Sequence, residues 1–390
     1  MIMATDNKDK VLNVPNLRFP EFKEVWKDSN IGKCFDLYSG NTPSRMEKEH
    51  FIGDVNWITS GELKEHYIGD TKERISEKAA ADNNLRILPV GTFVMAIYGL
   101  EAEGVRGTCS ITVKTSTISQ ACMAFTPKSN VSNEFLYSWY KKHGNKIGIR
   151  YAQGTKQQNL SYDIIEKFPI RYPSIEEQEK LNTFISLLDS RIATQNKIIE
   201  DLKKLKVAIR DKQLNTIRKH YGLNYQICDL LDYEQPTKYV VTDTEYSEDR
   251  SKTPVLTANK AFILGYTDES FGVYDKGACI ILDDFTLDCK YVDFPFKVKS
   301  SAIKILTVKN GCSLRYVYEY LNYMNLETTE HKRHYISEIE PMIIAYPTDK
   351  KGIDDFNNIM SSFESKIEIE NKYLQSLLIQ KVYLLSNMFI

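Results

Sequence analysis

The residues best suited to chemistry are planar hydrogen-bonding side chains rather than a catalytic constellation. Gln153, Lys156, Gln157, Gln158 and Asn159 cluster around Gly154-Thr155 in the run QGTKQQNLS at 153–161. Base edges in the major groove are read by paired donors and acceptors, Arg and Lys suiting guanine, Asn and Gln suiting adenine. Glycine allows close backbone approach to a ligand. The run is therefore a candidate DNA-contact loop, and equally an ordinary polar loop leading into a helix. Thr59, Ser60 and Glu62 follow a strand-like run, and Thr257, Asn259 and Lys260 hold the corresponding place in the second half. The paired placement favours a shared contact role, although turns select the same residue types. Lys297, Lys299, Ser300 and Ser301 suit phosphates, which position a protein without specifying sequence; a solvated strand face carries the same pattern. His331-Lys332-Arg333-His334 is a further basic group, with Arg333 its candidate contact to the DNA backbone.

Catalytic readings fare worse. Asp283, Asp284, Asp288 and Lys290 in DDFTLDCK loosely resemble a metal-dependent nuclease centre. The carboxylates crowd one short turn, which suits a structural or DNA-facing role better than a two-strand metal site. The H-x-x-H of His331 and His334 is not read as a metal site. No G-x-x-x-x-G-K-[ST] phosphate loop is present, nor the Asn-Pro-Pro-aromatic signature of amino methyltransferases. No cofactor and no metal are expected.

The elements that must position these residues are set by a chain of 390 residues, long enough for two or three domains. Its net charge of -1 argues against a small module gripping nucleic acid by bulk charge. The 24 tyrosines suit base stacking and β-sheets alike. Seven cysteines, at 34, 109, 122, 228, 279, 289 and 312, form no C-x-x-C pair, which points to a reduced, cytoplasmic protein. MIMATDNKDK has no apolar signal core, and no apolar run approaches the ~20 residues that span a bilayer.

Internal repetition is the strongest organisational signal. Residues 176–218 lack Gly and Pro and carry apolar residues at Ile185, Leu188, Ile192, Ile199, Leu202 and Ile209, with Gln195 and Lys206 as polar interruptions. That is a coiled-coil seam. Residues 354–387 repeat it 175 positions later with Met360, Phe363, Ile367, Leu374, Leu377 and Leu384. Asp189-Ser190-Arg191-Ile192 aligns with Glu364-Ser365-Lys366-Ile367, and Ile170-Arg171-Tyr172-Pro173 with Ile344-Ala345-Tyr346-Pro347. Each helix follows a segment of strand-like runs: 55–60, 91–99, 109–114 and 121–125, then 253–258, 277–285, 291–298 and 302–308. A short helix is predicted near the end of each segment, at 133–144 and 314–325. At about 1.5 Å per residue, two paired helices of roughly 40 residues would make a spacer of about 60 Å.

In this order the motifs resemble those of specificity subunits of type I restriction-modification enzymes, over about residues 14–388. The resemblance rests on VPNLRFPEFKEVW (14–26), WITSGEL, GTFVMAIYGLEAEGVRG (91–107), QGTKQQNLS and FPIRYPSIEEQEKL (168–181). LDYEQPTKYVV (231–241) and DDFTLDCKYVDFPFKVKSSAIKIL (283–306) look like one type of second recognition domain. HKRHYISEIE (331–340) stands where a second QGTKQQNLS would fall. The resemblance implies an α/β (α+β) fold with a pseudo-twofold internal repeat. Target recognition domains at 14–173 and 221–347 would be separated by two long antiparallel coiled-coil helices, 174–220 and 353–388. It further implies a non-catalytic subunit that binds double-stranded DNA, two methyltransferase subunits and two motor-nuclease subunits, with no membrane partner. The alternatives are a stand-alone DNA-binding nuclease and a coiled-coil scaffold without DNA specificity.

Overall fold

The computed structural model describes residues 13–390 apart from 103, 155–157, 259–260, 310, 329 and 331. The chain divides into two compact units, one formed by residues up to Asn196 with Tyr373–Ile390, the other by Lys197–Lys372.

In the first unit, a continuous apolar run, Phe93–Ala96, is buried along its whole length. Such a strand belongs at the centre of a sheet covered on both faces. It pairs antiparallel with Cys122–Pro127 on one side and Cys109–Thr112 on the other. Phe35–Ser39 and Tyr67–Ile68 complete a five-stranded sheet. A second sheet places Val55–Ile58 between Arg74–Ile75, antiparallel, and Ser116–Ile118, parallel. The helix Asn133–Tyr151, capped by the Ser132 hydroxyl on Phe135 N, buries Phe135, Leu136, Trp139 and Tyr140. It runs seven residues beyond the sequence expectation of 144.

The second unit repeats this plan with a four-stranded sheet in place of the five-stranded one. Its buried central strand, Cys279–Asp283, lies between Ile303–Val308 and Cys289–Val292, with Leu231–Glu234 beyond. A three-stranded sheet again sets its middle strand, Thr253–Leu256, between an antiparallel hairpin partner, Ile263–Thr267, and a parallel strand, Lys297–Val298. The helix Leu314–Met324 is capped by the Ser313 hydroxyl on Tyr316 N. The predicted strand 291–298 is corrected by the structure: it divides between two sheets, as Cys289–Val292 and Lys297–Val298. Pro295 lies in the break and has no N–H to donate to a ladder.

The long helices, Ile175–Tyr221 and Lys350–Met388, enter both units. Their twelve seam residues are all buried or half-buried. In the first unit Leu181 and Ile185 share a core with Leu385, Met388 and Phe389. In the second, Leu214 shares one with Phe356 and Met360. Among the described residues, no helix is long and apolar enough to cross a membrane. All seven cysteines are free, and burial pushes the Cys109, Cys122, Cys279 and Cys289 thiols up to about 12.

Candidate nucleic-acid interface

Two of the motifs singled out in the sequence meet in the first unit. Gln153 and Asn159 exchange backbone hydrogen bonds of 2.8 and 2.9 Å, which closes the intervening loop. Gly154 sits at φ 109°, a conformation open to glycine. Gln158 N donates to Glu101 Oε2 at 2.8 Å, and Arg106 Nη2 donates to Gln158 Oε1 at 2.8 Å. The Gln158 N–H holds the Glu101 carboxyl below its ordinary range. Lys156 and Gln157 lie outside the described residues. The Gln158 side chain supports its own loop, while Asn159 Oδ1 is buried with no hydrogen-bond partner among the described residues.

Arg106 and Glu101, which sequence reasoning did not single out, thus position the polar loop. Their signal was the glycine spacing in GLEAEGVRG and HGNKIG. Gly107, at φ 73°, would bring a Cβ within 2.9 Å of Asn145 N, and a Cβ on Gly148 would lie 2.5 Å from Arg106 Cγ. Side chains there would drive the loop off the helix.

Thr59 and Thr257 occupy the same corner of the same sheet in their respective units. Each follows the central strand of a three-stranded sheet, and the parallel neighbour bonds back to that strand's end. Ser119 N donates to Ile58 O at 2.9 Å, and Lys299 N to Leu256 O at 3.0 Å. The structure therefore brings Lys299, which is exposed, beside Thr257. In the first unit, the bonds Leu160 N to Ile97 O and Ile97 N to Ala121 O carry the polar loop toward the Thr59 corner.

The corner residues themselves divide. Glu62 forms a capping box with Thr59: one oxygen accepts from Thr59 N at 2.9 Å and Oγ1 at 2.7 Å, the other from Lys72 N at 2.7 Å. Both carboxylate oxygens are engaged within the chain, so the role of Glu62 here is to shape the turn. Ser60 is half-buried on that turn. Thr257 N donates to Phe262 O at 3.0 Å, closing a hairpin whose Asn259 and Lys260 lie outside the described residues.

Lys297 is a correction to the phosphate-facing expectation. Its side chain is fully buried; Nζ lies 2.6 Å from Glu269 Oε2 and donates to Phe271 O at 2.7 Å. It also sits 4.3 Å from the Phe271 ring centre. The Lys297 ammonium, helped by Thr242, pushes the Glu269 carboxyl down to about 2.

Arg333 is exposed, 5.9 Å from the Phe285 ring centre. Its neighbours are committed elsewhere: Lys332 pairs with Glu330 and Glu338 at 2.6 and 2.9 Å, and His334 with Glu338 at 2.8 Å. Two of the three carboxylates of DDFTLDCK hold backbone, and Asp288 accepts from the Thr286 hydroxyl at 3.3 Å. Asp283 Oδ1 accepts from Phe285 N and Thr286 N, and buried Asp284 accepts from His334 N and Tyr335 N at 3.1 and 2.7 Å. Among the described residues, no group of three or more His, Cys, Asp or Glu is placed to hold a metal ion.

The model of the type I restriction modification DNA specificity domain matches residues 23–204. A stretch of 125 residues is 48% identical to the type I restriction enzyme EcoR124I/EcoR124II specificity subunit of Escherichia coli, covering 30% of this chain and 31% of that protein. The MjaIX specificity subunit of Methanocaldococcus jannaschii is 28% identical over 313 residues, 76% of this chain and 70% of the relative. Among solved structures, the type I restriction-modification system S subunit from M. genitalium aligns with a TM-score of 0.53 at 16% identity, over 97% of this chain and 99% of that one. A chain solved for complex assembly and conformational transition of the type I system gives 0.58 at 11% identity, over 93% and 97%.

The fold is that of a mixed α/β protein of the S-subunit type. Residues 23–204 match that DNA specificity domain, and over most of its length the chain is similar to a type I restriction enzyme specificity subunit.

Proposed function

We propose that this chain is the DNA sequence-specificity subunit of a type I restriction-modification complex, reading a bipartite target and performing no chemistry itself. Target recognition domains at 14–173 and 221–347 each read one half-site. The helical segments 174–220 and 353–388 form an antiparallel coiled coil between them, and the two halves are related by a pseudo-twofold internal repeat. Two methyltransferase subunits dock on the helices, and two motor-nuclease subunits join the restricting complex in the cytoplasm.

The observation that carries this reading is the order shared by four strands of the larger sheet and three of the smaller sheet in the two units, joined to a specificity-domain match over the first. Two readers of one design, each with polar side chains at the same sheet corner, suit a target in two parts. Thr59, Ser60, Lys156, Gln157 and Asn159 are the proposed contacts of the first reader. Thr257, Asn259, Lys260, Lys299 and Arg333 are those of the second. Gln158 and Glu62 act on DNA through the loops they hold, and Lys297 through the sheet.

The test is direct. The purified chain with Mg2+ and S-adenosylmethionine should transfer no methyl group. Adding its cognate methyltransferase subunit should produce methylation confined to one bipartite sequence. Methylation without sequence preference, or cleavage by the chain alone, would refute the proposal.

A further inference from the structure

Two ion pairs join the long helices, and they are the same pair made twice. In the first unit Lys381 Nζ lies 2.5 Å from Asp189 Oδ1. In the second, Lys206 Nζ lies 2.9 Å from Glu364 Oε1. Asp189 and Glu364 are 175 positions apart, and so are Lys206 and Lys381. Each repeat thus carries an acid and, 17 residues later, a lysine, and each acid meets the other repeat's lysine.

Both lysines occupy seam positions that the heptad would otherwise fill with an apolar residue: the seven-residue step from Ile199 reaches Lys206, and that from Leu374 reaches Lys381. Their side chains are only 18% and 22% exposed. A lysine in a seam costs stability and, in return, selects one alignment in which its charge is met. Each pair also reaches its own globular part. Lys206 lies 2.6 Å from Glu319, a carboxylate only 2% exposed, and Arg315 pairs with Glu364. In the first unit His66 Nδ1 lies 4.0 Å from Asp189.

We propose that Asp189–Lys381 and Lys206–Glu364 are register keys: they fix the longitudinal alignment of the helices and thereby the number of unread base pairs between the half-sites. This rests on the two-reader function proposed above. A slip of one heptad would move the helices by about 10.5 Å past each other, roughly three base pairs. Apolar seam residues alone repeat every heptad and reject such a slip poorly. The charge pairs reject it.

The test uses the full chain. A water-soluble carbodiimide joins a carboxylate to an amine in contact without adding a spacer. Peptide mapping should find Asp189 joined to Lys381, and Lys206 joined to Glu364 or Glu319. Replacing Asp189 by Lys should remove the first link and lower sequence-specific methylation about tenfold, a difference of about 1.4 kcal/mol. Asp189→Lys with Lys381→Asp should restore both. A second variant, Lys206→Leu with Lys381→Leu, should melt at a lower temperature than wild type, because Glu319 keeps a buried charge without its lysine, and should methylate targets of more than one spacing. A plain stabilising ion pair would lose stability and keep a single spacing. The proposal is overturned if the leucine variant keeps a single spacing, or if the exchanged pair fails to rescue Asp189→Lys. Correct links without sequence-specific methylation would refute the two-reader function alone; specific methylation without the links would refute the keys alone.

Discussion

Asn357 donates its side-chain N–H to the Ser313 hydroxyl at 2.9 Å, the same hydroxyl that caps the helix Leu314–Met324. In the first unit, 175 positions earlier, Asn182 donates to Ser132, the cap of Asn133–Tyr151, at 3.3 Å. In each unit a long helix is thus fastened to the cap of the shorter helix beside it. Ser313→Ala removes cap and acceptor together and should lower the stability of the second unit by about 1–2 kcal/mol. Asn357→Ala removes only the fastening bond and should cost about 1 kcal/mol. Urea denaturation followed by circular dichroism checks both values.

The buried Lys297 sets an acid limit on the second unit. Its ammonium is the main cause of the low Glu269 pKa, which falls from an ordinary 4.5 to about 2. A carboxyl depressed on folding contributes stability that is full above its unfolded pKa and fades as pH drops through the folded one. The wild type should therefore lose this contribution between about pH 4.5 and about 2. Lys297→Met should lower the urea midpoint at pH 7 and flatten its fall over that window, as titration of the midpoint against pH would show.

Arg106 supports the loop 153–159 from beneath, through Gln158. Arg106→Ala should leave the sheet order intact while freeing the loop. Methylation mapping should then show relaxed sequence preference in one half-site, with about a tenfold weaker specific signal, and no change in the other half-site. An equal loss at both half-sites would mean that the loop does not read the first one.

Most elements were legible because their signals are local. Phe93–Ala96 and Cys279–Leu282 are continuous apolar runs, and the long helices announce themselves through seven-residue spacing. What the sequence concealed was the partner of each polar group. Lys297 and Lys299 share a strand parity, yet the strand ends at Val298 and the two lysines part: one is buried on Glu269, which lies 28 residues away, and the other is exposed. Asp284, which suits a structural or DNA-facing role better than a metal site, finds its backbone partners, His334 and Tyr335, only across 50 residues of chain. Glu62 looked like a base contact because a capping box and a recognition turn use the same residue types. Lys206 was visible as an interruption of the seam, but Glu319 and Glu364, which explain it, belong to two other helices.

The long helices can be shortened without disturbing either ion pair. Asp189 and Lys206 stand 17 residues apart, as do Glu364 and Lys381, so one heptad can be removed between the members of each set. Deleting 193–199 together with 368–374 should preserve both pairings and shorten the paired helices by about 10.5 Å, with a residual rotation of about 20°. The bipartite target should keep both half-sites and lose about three unspecified base pairs, at about 3.4 Å each. Deleting 193–199 alone forces one pair apart and should abolish specific methylation or scatter the spacing. Genome-wide mapping of methylated bases in cells carrying each variant distinguishes these outcomes. A double deletion that methylates at the original spacing would show that the helices do not measure the target.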